Sequence, residues 1–316
     1  MTEPLWEDDE RPRVGAMGPV KVRVPAKINL HLGVGDRRPD GYHEVTTVYH
    51  AIGIFDELTA RPADGLALTM DGEGAGELAL DDSNLVIRAV KVLAAATGRD
   101  PHARLHLRKQ IPLAAGLAGG SADAAAALAA CDALWGTGLS REDLALLAGR
   151  LGSDVPFLVL GGTALGTGRG EAVSPVLAPG NAWHWTIAVA EGGLSTPEVY
   201  RELDRLRAAG EAPAAAGSTD EILAALRQRD AAVLAKSLVN DLEPAALAMR
   251  PALRSTLAAG VAAGALAGVV SGSGPTCAFL CRDADGADLV AEALAAGGEC
   301  RWARTATGPV PGARLV

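Results

Sequence analysis

Apolar and polar positions alternate from Val20 onward: "VKVRV" and "INLHLGV" read as strands, the second with Ile28, Leu30, Leu32 and Val34 on one face. The polar, turn-rich "GDRRPDGYHEV" follows, and then the strand-like stretches "VTTVYHAIGIF" and "DELTARPA". The period changes in "DDSNLVIRAVKVLAAATG", where apolar residues recur at helical spacing. Ser83 or Asn84 can cap that helix and Gly98 can stop it. "ARLHLRKQIP" alternates again and delivers the chain into "PLAAGLAGGSADAAAAL", which joins a glycine-rich loop to a run of alanines. Beyond it, "LSREDLALLAGRLG" is a helix with Ser140 and Asp143 at capping-box spacing. "VPFLVL" reads as a short apolar strand, and "GGTALGTGRGE" returns from it.

After about Pro179 a second unit is expected. It opens on a strand, "HWTIAVA", and a helix that starts at Thr196-Pro197 and runs through Leu206. A low-complexity "AAGEAPAAAGST" loop and helices rich in Ala and Leu follow; "GVVSGSGPTCAFLC" is strand, glycine turn, strand, and a last helix and strand close the chain. Helices and strands without strict alternation predict an α+β fold. With 316 residues, two domains are expected, 20–178 and 179–316, preceded by a disordered extension at 1–19. That extension is acidic and lacks an apolar core, so it is no signal peptide, and Met17 is a candidate start. The most apolar stretch, Thr256 to Val270, is too short and glycine-broken to span a membrane. A net charge of −9 argues against nucleic-acid or anionic-membrane partners and leaves room for a local phosphate site. The four cysteines (Cys131, Cys277, Cys281 and Cys300) lack disulfide or zinc spacing, which fits a reducing cytoplasm.

The glycine loop carries the chemistry. Gly116, Gly119 and Gly120 can take positive φ and leave no Cβ in a ligand's way. A strand, a glycine loop and a helix N-terminus aim several unpaired N–H groups at one point, with the helix dipole behind them. The pattern suits a phosphate cradle, and it also suits a plain glycine turn before an alanine helix packed on a sheet. No Gly-Lys-Ser/Thr occurs here, so it is not a Walker A loop. The segment some 20 residues on reads as helix, so a dinucleotide fingerprint fits poorly.

"PLAAGLAGGSADAAAAL" resembles the nucleotide loop of the GHMP kinases, the superfamily of galactokinase, homoserine kinase and mevalonate kinase. Ala118 stands where many members have glycine. "PAKINLHLGV", "RPDGYHEV", "GSDVPFLV", "NDLEP" and "SGSGPTCAF" extend the resemblance from about Val20 to Arg304, towards the branch that phosphorylates a cytidylyl sugar alcohol. The resemblance implies an N-terminal ribosomal-S5-domain-2-like domain and a C-terminal ferredoxin-like domain, with the active site between them. It implies that Pro112, Leu113, Ala114, Ala115, Gly116, Leu117, Ala118, Gly119, Gly120, Ser121 and Ala122 bind ATP, and that Mg²⁺ arrives with the nucleotide, with Ser121 a candidate ligand. Lys27 and Asp154 match the catalytic pair. Asp154 would take the proton of the acceptor hydroxyl, and Lys27 would stabilise charge building on that oxygen and on the phosphoryl group.

Asn29, two residues on and on the same strand face as Lys27, would hold substrate hydroxyls. Tyr42 would stack on the cytosine, the backbone of His43 would pair with its edge, and Tyr200 would close its other face. Tyr49 is expected as a packing neighbour, and "SGSGPT" (Ser271 to Thr276) as a glycine turn beside Gly116–Ser121. The expected partners are small molecules, without nucleic acid or membrane, and the chain is expected to be a monomer or homodimer. A homoserine- or mevalonate-type kinase and an inactive nucleotide sensor are the rival readings. "RPDGYHEV" speaks against the first, because those acceptors carry no base, and Lys27 with Asp154 speaks against the second.

Overall fold

The computed structural model describes residues 18–177, 182–216 and 218–316. Nearly all of the expected N-terminal extension, with Met17, lies outside them. In chain order the first half comprises β1 (Val20–Arg37), β2 (His43–Arg61), β3 (Leu66–Gly72), α1 (Leu85–Thr97), β4 (Ala103–Lys109), α2 (Gly119–Trp135), α3 (Arg141–Ala148), α4 (Val155–Leu160), β5 (Thr163–Thr167) and β6 (Ala172–Pro175). The second half begins with β7 (Trp183–Val189), α5 (Thr196–Ala208), α6 (Asp220–Gln228), α7 (Ala231–Lys236), β8 (Val239–Asn240) and α8 (Glu243–Met249). It ends with α9 (Ala252–Ala262), β9 (Ala267–Val270), β10 (Cys277–Cys281), α10 (Ala284–Gly297), β11 (Trp302–Gly308) and β12 (Arg314–Leu315).

The α+β fold is as expected, with two sheets. The first runs β12-β1-β2-β4-β3, with β5 and β6 continuing from β2 and β8 lying along β1. The second is the antiparallel order β11-β7-β10-β9, which is ferredoxin-like connectivity. We propose the division at 178/179, with β8 and β12 of the later stretch added to the earlier sheet. Among the described residues no helix is long and apolar enough to cross a membrane.

Two expectations are corrected. The four short strands expected at the start are two long ones, β1 and β2, paired antiparallel along most of their length. Pro25 does not break β1, because the register shifts between Pro25 and Ala26 and a bulge accommodates its missing N–H. "VPFLVL" is the helix α4, not a strand. It is buried from Val155 to Val159 and so has no polar face to mark a period, and Pro156 sits in its first turn, where no N–H is needed. Arg141 donates to the carbonyls of Val159 (3.0 Å) and Leu160 (3.3 Å), satisfying the helix's C-terminal end.

Helix boundaries follow local chemistry more closely. Asn84 caps α1 through the N–H of Val86, Gly98 ends it at φ 65°, and Ser140 caps α3 through the N–H of Asp143. The alanines of α2 are core. Ala122, Ala124, Ala125, Ala126, Ala127 and Ala130 are fully buried, because α2 lies between the sheet and its neighbouring helices, where side chains larger than methyl would hold it away. That close approach fixes the N-terminal end of α2 relative to β1 and β2.

Candidate active site

A cavity of about 720 Å³ opens between the two sheets. Lys27 and Asn29 reach it from β1, Tyr42 and His43 from the start of β2, Asp154 from the N-terminus of α4 and Tyr200 from α5. The loop before α2 supplies Ala114, Ala115, Gly116, Ala118, Gly119, Gly120 and Ser121. Of the eleven residues expected to bind nucleotide, Pro112, Leu113, Leu117 and Ala122 do not line the cavity. Leu117 is core, and its carbonyl accepts the backbone N–H of Lys27 at 3.2 Å, tying the loop to β1.

The helix α2 has no side-chain N-cap, as is true also of α4, α5, α6, α8 and α9, while α1, α3, α7 and α10 are capped by Asn84, Ser140, Asp230 and Asp283. Its first internal bond is Ala122 N–H to Ala118 carbonyl, so the N–H groups of Gly119, Gly120 and Ser121 are left for a ligand. The backbone strain is not where the glycines suggested. Positive φ occurs at Ala114 (47°), Gly116 (77°) and Ala118 (58°), while Gly119 and Gly120 begin the helix. Ala118 therefore adopts the left-handed region at about 1–2 kcal/mol of strain. A Cβ at Gly119 would point inward, 3.1 Å from Ile111 Cγ2 and 3.4 Å from Lys109 Nζ, away from the cavity.

Gly116 is needed for a different reason. A Cβ there would run into the Ser271 carbonyl and stand 3.1 Å from the backbone N of Gly274. "SGSGPT" thus packs on the loop as expected, with Ser271 Oγ donating to the Gly116 carbonyl at 3.1 Å. Asn240 holds that turn, donating to the carbonyls of Val270 (2.7 Å) and Gly272 (2.8 Å). Gly116→Ala combines the clash with about 1–3 kcal/mol of backbone strain, so nucleotide affinity measured by calorimetry should fall roughly 5- to 150-fold. Unchanged affinity would show that the loop does not depend on this contact.

Lys27 is buried; its ammonium donates to Asn29 Oδ1 at 2.8 Å and lies 3.9 Å from Asp154 Oδ2. Burial pulls the Lys27 pKa below its ordinary value, and the Asp154 charge works against that shift. Asn29 in turn donates to Thr47 Oγ1 at 2.8 Å, which fixes the amide and leaves its oxygen to Lys27. The Tyr49 hydroxyl donates to Asp154 Oδ1 at 2.9 Å, so Tyr49 is more than the packing neighbour expected of it.

Tyr42 is exposed at the mouth of the cavity, with the Arg169 guanidinium 5.1 Å from its ring centroid. His43 is buried: its Nε2 is 2.9 Å from Asp204 Oδ1, and its ring centroid lies 5.1 Å from that of Tyr200. The start of β2 and α5 thereby meet through His43 and Tyr200, beside Tyr42 on the same cavity. Arg169 and Asp204 carried no signal in the sequence, because each meets its partner only through the tertiary fold.

Beneath the loop lies a charged cluster. Lys109 donates to Asp56 Oδ2 and Asp123 Oδ2, both at 2.7 Å, and all three side chains are buried. Asp56 Oδ1 accepts the backbone N–H of Ile111 at 2.9 Å. The cluster thus pins the chain on both sides of the loop. The period-2 pattern of β4 did contain a signal, since Lys109 shares the buried face of Ala103, Leu105 and Leu107.

Comparison with known proteins places this geometry. The model for "GHMP kinases N terminal domain" matches residues 84–162 and that for "GHMP kinases C terminal" matches residues 222–300. The chain is 71% identical to the 4-diphosphocytidyl-2-C-methyl-D-erythritol kinase of Salinispora tropica, covering 100% of both chains. It is 56% identical to that of Streptomyces avermitilis over 94% of this chain and 99% of the relative. A crystal structure of 4-(cytidine 5'-diphospho)-2C-methyl-D-erythritol kinase superposes with a TM-score of 0.73 at 33% identity, covering 90% of this chain and 98% of that one. Homoserine kinase from Cytophaga hutchinsonii shares the fold at a TM-score of 0.74 and 20% identity, over 99% of this chain and 100% of that one.

Proposed function

The chain belongs to the GHMP kinase family, in its group of 4-diphosphocytidyl-2-C-methyl-D-erythritol kinases, and on that premise we propose how its residues phosphorylate the acceptor's C2 hydroxyl with ATP. The reaction is a step of non-mevalonate isoprenoid precursor biosynthesis and gives the 2-phosphate and ADP. The observation that carries the residue assignment is the convergence of Lys27, Asp154 and the uncapped end of α2 on one cavity.

In this reading the N–H groups of Gly119, Gly120 and Ser121 hold the phosphates of ATP, and the α2 dipole favours their charge. Asp154 takes the hydroxyl proton as the acceptor oxygen attacks the γ-phosphorus. The Lys27 ammonium, 3.9 Å from Asp154 and fixed by Asn29, stabilises the charge that builds on the reacting oxygens. Mg²⁺ would be held by the nucleotide's own phosphates together with the Ser121 hydroxyl. The one carboxylate near the start of α2, Asp123, is turned to Lys109, which suits an ion carried in by ATP and not a protein cage. Bound there, the ion would neutralise phosphate charge. We place the enzyme in a reducing cytoplasm, with its cysteines as free thiols, acting as a monomer or homodimer.

Tyr42, His43 and Tyr200 would hold the cytosine. Stacking on a base contributes ~1–3 kcal/mol. Tyr42→Ala should therefore lower kcat/KM for the cytidylyl acceptor roughly 5- to 150-fold, Tyr42→Phe should retain most of it, and neither should change the KM for ATP. The test of the function is ADP release with the cytidylyl acceptor and with bare methylerythritol. Equal turnover of the two would remove the base from recognition and return the acceptor to the simpler alcohols of the superfamily.

A further inference from the structure

We infer that Tyr49 is a positioning residue: it fixes the Asp154 carboxylate through Oδ1 and so reserves Oδ2 as the proton acceptor, an inference that rests on Asp154 being the base. Asp154 occupies the N-cap position of α4 but does not cap it. Its carboxylate is turned away from its own helix, where an aspartate at that position ordinarily binds backbone N–H groups. The Tyr49 hydroxyl, 2.9 Å from Oδ1, holds it there, while Oδ2 is the oxygen that faces the Lys27 ammonium at 3.9 Å.

Tyr49 is itself held on every side. It is only 3% exposed, and its ring stacks on Phe157, three residues beyond Asp154, with centroids 4.9 Å apart and planes 22° apart. The Lys27 ammonium lies 6.0 Å from its ring centroid. One side chain therefore touches the base and the helix that carries the base, with the lysine above its ring. The glycines of "GTALGTGRG" complete the seat. A Cβ at Gly166 would stand 2.6 Å from Tyr49 Cε2, and a Cβ at Gly170, whose φ is 105°, would run into the Tyr49 hydroxyl. Gly170 makes room for a phenol where a phenyl ring would need none. Burial, with the Asp154 charge adding to it, pushes the phenol pKa well up, so Tyr49 remains a donor while the carboxylate works.

During transfer the acceptor O–H bond breaks and its proton passes to Oδ2. The acceptor oxygen bonds to the γ-phosphorus, and the bond from that phosphorus to the β–γ bridging oxygen breaks, its electron pair leaving with ADP. The Tyr49 proton stays in place. Without Tyr49 the carboxylate is free to rotate and to close on Lys27, and a misplaced base costs turnover more than binding.

Tyr49→Phe keeps the stack on Phe157. The expected result is a fall in kcat of about 10-fold, a fraction of what a hydrogen bond to a charged group contributes. KM for both substrates and the melting temperature should stay near wild type. Gly170→Ala should lower kcat in the Tyr49 background and cost less in the Tyr49→Phe background, where the clash with the hydroxyl is gone and only the positive-φ strain, common to both, remains. A Phe variant with kcat equal to or above wild type, or losses from the two changes that simply add, overturns the inference. Asp154→Asn separates the two levels. If that variant stays active, the base assignment fails; if it is inactive while Tyr49→Phe turns over normally, only the role of Tyr49 fails.

Discussion

Replacing Asp154 by Asn is expected to lower kcat by roughly 10²–10⁴-fold, the range typical of losing a general base, and to leave ATP affinity as it was. The change is close to isosteric. An asparagine oxygen can still accept the Tyr49 hydroxyl that lies 2.9 Å from Oδ1, so the side chain keeps its seat against α4. What disappears is a group able to take the acceptor's proton, together with the negative charge that Lys27 faces at 3.9 Å. Nucleotide binding should be spared because, in the arrangement we propose, the phosphates are held by the free backbone N–H groups of Gly119–Ser121 and not by the Asp154 carboxylate. Kcat from ADP release and ATP affinity from calorimetry read the two quantities separately. A variant with near-normal kcat would leave Asp154 a structural residue at the start of α4.

What the sequence disclosed, and what it hid, divides by range. Asn84, Gly98 and Ser140 act on backbone groups within four residues of themselves, and each does in the fold what its local pattern predicts. The strand face that carries Lys27 and Asn29 was equally legible, because period 2 places them together whatever lies opposite. Helix α4 was not, since six apolar residues, the first five of them buried, have no polar face from which to read a period. The glycine loop was half legible. Its position between a strand and a helix was read correctly, yet the left-handed residues are Ala114, Gly116 and Ala118, because Gly119 and Gly120 already belong to α2. Contacts such as Tyr49–Asp154 and His43–Asp204 join residues more than a hundred positions apart. Nothing in either local stretch marks them.

Lys109 is where the largest loss of stability is expected. Lys109→Met keeps the length of the side chain and its apolar stem but removes the ammonium that both Asp56 and Asp123 contact at 2.7 Å. Two carboxylates would then remain in a dry interior with no cation between them. Breaking a buried pair in this way costs about 3–5 kcal/mol. The loss should depend on pH. In the intact protein burial raises the Asp123 pKa well above its usual value, with the neighbouring Asp56 adding to the rise and Lys109 opposing it. Removing Lys109 removes the opposing charge. A carboxyl whose folded pKa is raised binds its proton more tightly in the folded state, so stability falls as pH climbs from the unfolded value towards the folded one. Denaturant unfolding at pH 5 and pH 8 should therefore show a larger deficit for the variant at pH 8. Function should suffer alongside stability, because Asp56 also accepts the N–H of Ile111, five residues before Gly116, and Asp123 sits in the second turn of α2. When those anchors loosen, the N–H groups of Gly119–Ser121 lose their fixed aim and ATP affinity should drop. A variant as stable as wild type at pH 8, with ATP affinity intact, would show that the two carboxylates share a proton well enough to do without Lys109, and that the loop is held by α2 packing alone.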